Sequence, residues 1–416
     1  MEAEFSGGNV TSDGGLLLVR QADRRLGLTA AAAQVLDDPR RQARCDHSQL
    51  SMLRQRVYGL ALGYEDLSDH DHLRHDLAWQ GEREQPAASS PTSCRLENRA
   101  QRSAAVAFHA LLLEQFIASF KKPPKALVLD FDAPDDPVHG HQEGRFFHGY
   151  YDTCCFPPLY VFCGDQLLVS YPRPSDIDGA KHAWAILALL VKRLRQAWPG
   201  VRIVLRADSG FCRWRMLRWC DRHGVGYIVG LAKNSRINKQ AGALIGQART
   251  RFEATGGKQR LFGNLRYGAH SWDRPRRVIA RIQHDGKGSN PRYVVTNLKG
   301  RSKWLYERVY CARGEMENRI KEQMQLFSDR TSAHRWWPNQ FRLLLASLAY
   351  VLMEAIRRLG LAGTELARAQ VGTIRLKLLK IGAVILRNTR RVRFLLSNAC
   401  PHQDLFYLVA ARLKPG

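Results

Sequence analysis

KKPPKALVLDFD, residues 121–132, is where the character of the chain changes. Its two prolines stop an apolar pattern of three- and four-residue steps that runs over 104–120, because proline lacks an amide donor and clashes with the preceding helical turn. The run ALVLDFD follows at once, compact and apolar, and predicts a strand that ends in a carboxylate. A domain boundary is expected here. Upstream, SQLSMLRQRVYGLALG (48–63) repeats apolar residues at helical spacing, so 1–122 reads as mainly helical, with QPAASSPTS (85–93) as a loop between helices.

Downstream the period shortens. RFFHGYYD (145–152), LYVFCG (159–164) and QLLVSYP (166–172) are short strand candidates separated by Gly, Asp or Pro, as in an antiparallel meander. A helix is expected over about 180–197, a buried strand at VRIVLRAD (201–208), a helix over 210–223 and a strand at YIVGLA (227–232). Three strands, helix, strand, helix, strand is the order of a ribonuclease H-like mixed α/β sheet, in which carboxylates at neighbouring strand ends converge. Residues 233–298 interrupt that core: RLFGNLRY, RRVIARIQ and RYVVTN, divided by GGK and DGKGSNP, predict an all-β insertion. The catalytic unit is thus expected over 123–330, and 331–416, which contains NQFRLLLASLAYVLMEAIRRLG and TIRLKLLKIGAVIL, as a helical region that finishes the core, contacts a partner or forms a dimer surface.

The formal net charge is +26, and an excess of Lys and Arg this large favours a polyanion, since each phosphate neutralised releases condensed counterions. Nucleic acid leads. No run of eighteen uncharged apolar residues occurs, and MEAEFSGGNVTSDGG lacks the order of a secretory signal, which predicts an intracellular protein with no membrane partner. Nine cysteines without a CxxC pair suggest neither a disulfide framework nor a zinc module. GGNVTSDGG has glycines but no GK[ST], so it is not a phosphate-cradling loop.

Phosphodiester chemistry on two metal ions needs carboxylates from separate elements. Asp130 and Asp132 share a face of the first strand, and either could serve. Asp132 is preferred because it stands at the strand end, whereas Asp130 is deeper and would need its own partner. The other reading of both is as turn residues. Asp208 closes the strand VRIVLRAD, the place where α/β proteins put functional groups, or else caps the helix that follows.

YCARGEMENRIKEQ (310–323) closely resembles the signature of insertion-sequence DDE transposases that carry a β-rich insertion in a ribonuclease H-like core. That pattern is Tyr, two residues, Arg, three residues, Glu, with lysines following. Tyr310, Arg313, Glu317 and Lys321 match it, while Met324 stands where a more distal lysine is usual. On a helix these four positions share one face, which could serve metal and phosphate together or be a solvated helix with ordinary ion pairs. TSDGGLLL, LRQRVYGLALGYEDL, DDPVHGHQEGRFFHGYY and TIRLKLLKIGA resemble segments of one subgroup of the same family.

The resemblance implies that Asp132, Asp208 and Glu317 bind Mg²⁺ or Mn²⁺, as two ions, and that the enzyme cuts and rejoins DNA at the terminal inverted repeats of a bacterial insertion sequence. It implies double-stranded DNA as partner, both element ends and target, a homodimer in the DNA complex, and a place in the cytoplasm with the nucleoid. Tyr310, Arg313 and Lys321 are expected to touch DNA. Trp272, in AHSWDRP, either receives a flipped base, as an aromatic of the insertion does in relatives, or is a packed aromatic. The Arg-rich N-terminal helices, with Arg54 and Arg56, either recognise the element ends or cap the core. His139 and His141 of HGH, and Asp69 to His72 of SDHDHLRH, lack zinc spacing; the first cluster is assigned to the active-site loop, with Glu143 and Arg145 as support, and the second to a helix start. Two alternatives stand beside the transposase: a silent or repurposed DNA-binding derivative, and a metal-dependent nuclease without strand transfer.

Overall fold

The computed structural model describes residues 3–4, 6–80, 86–388 and 391–414. An eight-stranded mixed sheet organises the middle of the chain. Its strands are β1 (Ala126–Asp132), β2 (Leu159–Cys163), β3 (Gln166–Tyr171), β4 (Arg202–Ala207), β5 (Gly226–Leu231), β6 (Gln259–Tyr267), β7 (Arg276–Asp285) and β8 (Gly288–Thr296). They lie in the order β6-β7-β8-β5-β4-β1-β2-β3. β1, β2 and β3 form an antiparallel meander, and β4 and β5 continue from β1 in parallel; the strand expected over 145–152 is not part of it, since Phe146–His148 pairs with Thr153–Phe156 in a separate small sheet. This is the ribonuclease H-like order anticipated from the succession of strands and helices.

Of the parallel strands β1 and β5 are buried on both faces, whereas β4 alternates between buried and half-buried residues. One face packs Leu127, Leu129, Leu205 and Val229 against the helices Arg102–Ala118, Ala183–Ala197 and Trp214–Arg222. The other face meets a helical layer and, at Ile228, Ile279 and Val294, the irregular helical run that begins at Ser302.

The insertion is β-rich but not all-β. Residues Ser235–Gln240 and Gly242–Thr255 are helices, and only then do β6, β7 and β8 follow, extending the main sheet through the pairing of β8 with β5. The helical signals are in the sequence: Asn234 caps the first helix by accepting from the Ile237 amide at 3.1 Å, Ile237, Ala241, Leu244 and Ala248 recur at helical steps, and Gly256 ends the second at φ +64°. Within the 85–93 loop, residues 86–89 are irregular and Gln85 lies outside the described residues. Ser90–Asn98 is helical, with Pro91 in the first turn where its missing donor costs nothing.

Residues before and after the sheet share one core. Leu16, Leu53 and Phe108 pack in the same cluster as Leu344, Leu352 and Val409. Val10–Thr11 pairs with Ala383–Arg387, which forms a hairpin with Val392–Leu396, so the C-terminal region is helical with a small sheet added. TSDGG is the clasp between the ends: the buried Asp13 carboxylate accepts from Tyr64, Trp79 and Lys380 at 2.9, 3.0 and 2.8 Å. Among the described residues no helix is long and apolar enough to cross a membrane.

Candidate catalytic carboxylate site

β1 and β4 are neighbours in parallel, with Phe131 opposite Ala207, so the next residue on each strand, Asp132 and Asp208, leaves the sheet at the same edge. Asp208 accepts from the Gly210 amide at 2.9 Å and caps a single tight turn, Ser209–Phe211, rather than a long helix. The capping reading therefore holds for that short turn, and it uses one carboxylate oxygen. Asp130 is consumed elsewhere: it is buried and takes two hydrogen bonds, of 2.5 and 2.7 Å, from Arg206 on the adjacent strand. Its need for a dedicated partner is met, and Asp132 is left facing the edge.

Glu317 arrives from the other side. Residues 302–324 form a nearly unbroken helical run whose middle is irregular, a wide turn over Leu305–Tyr310 and a tight one over Cys311–Arg313, before the regular helix Gly314–Met324. Such irregularities re-aim side chains and are frequent at functional sites. Here Arg313 bonds Asp132 at 2.7 Å and Glu317 at 3.1 Å, so one guanidinium ties the strand aspartate to the helical glutamate. Burial disfavours the Arg313 charge, but Asp132, Asp208, Tyr310 and Glu317 outweigh it and hold the guanidinium more firmly protonated than usual. Asp132 is shifted the opposite way for a carboxyl: burial pushes it up against the pull of Arg313, and the charges of Asp208 and Glu317 add to the rise. Asp132 therefore senses both other acidic groups of the expected set.

Tyr310 packs in the same place. A Cβ on Gly230 of β5 would stand 2.7 Å from the Tyr310 hydroxyl, 2.8 Å from the Ser209 amide and 3.1 Å from the Asp208 carbonyl carbon, so only glycine lets β5 lie this close. Burial, chiefly, raises the Tyr310 phenol to about 12. Lys321 is exposed one turn beyond Glu317. Met324 is half-buried against the helical core, which gives a physical reason for an apolar side chain where relatives carry a lysine.

Other expected residues lie apart. Trp272 sits in the connection between β6 and β7, whose Tyr267 and Arg276 ends face away from the edge that bears Asp132 and Asp208. It is half-buried, in an edge contact with Tyr267 at 5.7 Å and under Arg276 at 5.6 Å. Arg56 does not face outward: it is buried, ion-paired with Glu97 at 2.9 Å, because the helix that bears it is covered on most sides. Arg54 is partly exposed, 3.5 Å from Asp23. Glu143 accepts from the Trp336 amide at 2.9 Å and so caps the helix Trp336–Ala355, while Arg145 bonds Gly140 within its own loop. His139 and His141 are exposed, and Asp69–Leu73 is the short helix expected there, with His70 buried beneath Gln55 and Arg56.

Two neighbours escaped the sequence reading. Arg206 could be found only from the register that sets it beside Asp130. Tyr151 lies within the segment 135–151 but carries no spacing signal. Its hydroxyl donates to Ala133 at 3.3 Å, and burial followed by the charges of Asp135 and Asp132 raises it to about 12.

As these side chains lie, no three His, Cys, Asp or Glu among the described residues form a ready cage for a metal ion. Arg313 occupies the centre of the acidic group. The donor set nevertheless has the chemistry that hard divalent cations require: carboxylate oxygens from separate elements, two of them bridged by one guanidinium.

No curated protein matches the chain. Among solved structures it is similar to the cryo-EM structure of the piggyBac transposase synaptic complex with hairpin DNA, with 11% identity, 88% of this chain and 79% of that one covered, and a TM-score of 0.47. The family model described as Transposase DDE domain group 1 matches residues 1–415, and the chain accordingly belongs to that family of DDE transposases, enzymes of DNA cleavage and strand transfer that generally use divalent metal.

Proposed function

We propose that Asp132, Asp208 and Glu317 hold a pair of Mg²⁺ or Mn²⁺ ions and that the protein excises and inserts a bacterial insertion sequence through its terminal inverted repeats. The observation that supports this most is the meeting of two strand-end aspartates and a helical glutamate around Arg313. Bound metal supplies activation of the attacking oxygen and stabilisation of the leaving oxygen at phosphorus. The chain's own residues orient the DNA. Arg313 presents a forked donor set suited to a phosphate, Lys321 adds an exposed charge on the same helix, and Tyr310 braces the helix against β5 beside Asp208. The Trp272 ring is already engaged by Tyr267 and Arg276, which favours its packing role over base capture.

In this reading 123–330 is the catalytic unit and the helices of 1–122 and 331–416 grip the element ends or join two chains, so that a homodimer pairs two ends in the cytoplasm. The position of Arg313 within the acidic group is the feature a silent DNA-binding derivative would share. The test is incubation of the protein, and of a Glu317→Gln variant, with a labelled terminal repeat, target DNA and Mg²⁺. Cleavage with joined product, lost in the variant, supports the proposal. Cleavage without joining would leave a nuclease, and binding alone a repurposed protein.

A further inference from the structure

The three strands of the insertion carry an arrangement that folding alone does not favour. In the register of β7 and β8, Arg281 lies directly opposite Arg292. Like charges paired across strands are destabilising, and natural sheets usually place an acid at one of the two positions. None is present here: among the described residues Arg281 bonds only the Gln283 amide oxygen, at 2.9 Å, and rests over the Tyr306 ring at 5.8 Å, while Arg292 is exposed and makes no hydrogen bond or ion pair. Arg281 Nε is moreover buried without an acceptor. On one side of the pair, Arg260, Gln283 and Asn290 stand in register across the three strands, Arg260 paired with Glu307 at 3.4 Å and Lys233 donating to Asn290 at 3.1 Å.

The face that bears this pair is fixed by alternation. Ile279 and Val294, two residues from Arg281 and Arg292, pack with Ile228 against Leu305 and Tyr306 of the helical run that goes on to Arg313 and Glu317. Gly230, two residues beyond Ile228 on β5, touches Tyr310 and the Asp208 backbone from that same face and is opposite Val294. The arginine pair therefore lies one same-face step beyond the level of Gly230, on the side where Tyr310 stands, with β5 between β8 and the strand that leads into Asp208.

Resting on the functional reading above, we propose that Arg281 and Arg292 together clamp one backbone phosphate of the DNA strand that enters the carboxylate site. A phosphate between them supplies the missing counter-charge, gives Arg281 Nε an acceptor, and turns a destabilising pair into a bidentate anion site. The clamp reads no base. It sets the distance between the scissile phosphate and the flanking duplex.

The test uses the full chain, a random-sequence duplex of about twenty base pairs, and EDTA to prevent cutting, with affinity measured as a function of salt. Each phosphate contact contributes roughly 0.9 to the slope of log K against log[salt]. Arg281→Gln, Arg292→Gln and the double variant are each expected to reduce the slope by about one contact, since a shared phosphate is lost once. Arg292→Lys should restore most of it. Arg249→Gln, which removes a charge paired with Glu253 on the helix against the opposite face, should change little. A second readout needs no DNA: Arg292→Gln should melt at or above the wild-type temperature, because a repulsion is removed. Wild-type slopes in all three glutamine variants would overturn the clamp alone, and a lower melting temperature in Arg292→Gln would overturn the argument from repulsion. Absence of duplex binding by the wild type would overturn the functional reading, and the clamp with it.

Discussion

Asp130 and Asp132 stand two residues apart on one strand, and replacing each by Asn should separate a structural acid from a catalytic one. The Asp130 side chain is 3% exposed and its partner Arg206 is 11% exposed, joined by two short hydrogen bonds, and Arg206 also donates to Val309 at 2.6 Å. Stripping one partner from a buried pair costs about 3–5 kcal/mol, and Asn retains one acceptor oxygen, so Asp130→Asn should cost about 3 kcal/mol. Asp132 has a different balance. It is one of three negative groups around a single guanidinium, and Arg313 keeps Glu317 when Asp132 is neutralised. Asp132→Asn should leave stability within about 1 kcal/mol, since relief of like-charge repulsion offsets the lost ion pair. Its effect on cleavage should be large: several kcal/mol of metal-dependent stabilisation at about 1.36 kcal/mol per decade is at least a hundredfold. Urea unfolding followed by tryptophan fluorescence and cleavage of a labelled terminal repeat in Mg²⁺ read the two quantities separately. The reasoning fails if Asp132→Asn cleaves at the wild-type rate, or if Asp130→Asn is inactive at unchanged stability.

Glu322 is fully buried between Arg319 and Arg357, with Arg357 bonds of 2.9 and 3.0 Å, so Arg357→Met should lower the unfolding free energy by about 3–5 kcal/mol in the same urea assay. His70 is buried beside Arg56 and its pKa falls to about 3, below the value near 6.5 of the unfolded chain, so the unfolded state takes the proton first as pH drops. The stability at stake is fully present above pH 6.5 and is lost between there and pH 3; His70→Asn should shrink the loss between pH 7 and pH 5 by about 2 kcal/mol, measured by unfolding at each pH. Gly230→Ala places a methyl against Tyr310 and Ser209, and should reduce cleavage sharply at a stability cost of about 1–3 kcal/mol, with melting temperature and cleavage rate as the paired readouts.

What the sequence made legible was local. The prolines before ALVLDFD, the strand period after them, and Asp132 and Asp208 at strand ends are properties of short windows, and the pairing of β1 with β4 realises them. The helical face of Tyr310, Arg313 and Glu317 was legible too, although the actual run is widened and then tightened before it becomes regular. Burial was not legible. Arg56 and Arg281 look alike in sequence, yet one is sealed against Glu97 and the other lies over a tyrosine ring with no acid partner. Nor could spacing reveal that residues near 16 and 409 share a core, since that joins the two ends of the chain. The helices at 235–255 were missed because the strands behind them dominated the reading of the insertion, though the Asn234 cap marked the first of them.

The charge of the chain carries a related lesson, because a formal +26 does not measure the surface offered to DNA. Several arginines are structural. Arg173 is fully buried and donates to the carbonyls of Pro157, Gly179 and Lys181; Arg375 does the same for Leu60, Ala61 and Gln325. Burial alone accounts for the fall of Arg375 to about 10, and it is the main cause of the same fall in Arg173. These guanidiniums staple loops and helix ends through backbone carbonyls, so they raise the net charge while contacting no phosphate. The salt dependence of DNA binding should therefore report a handful of contacts, each worth about 0.9 in slope, rather than anything near the formal charge. A slope that required twenty or more phosphates would mean that the buried arginines reach DNA, and the packing described here would have to be wrong.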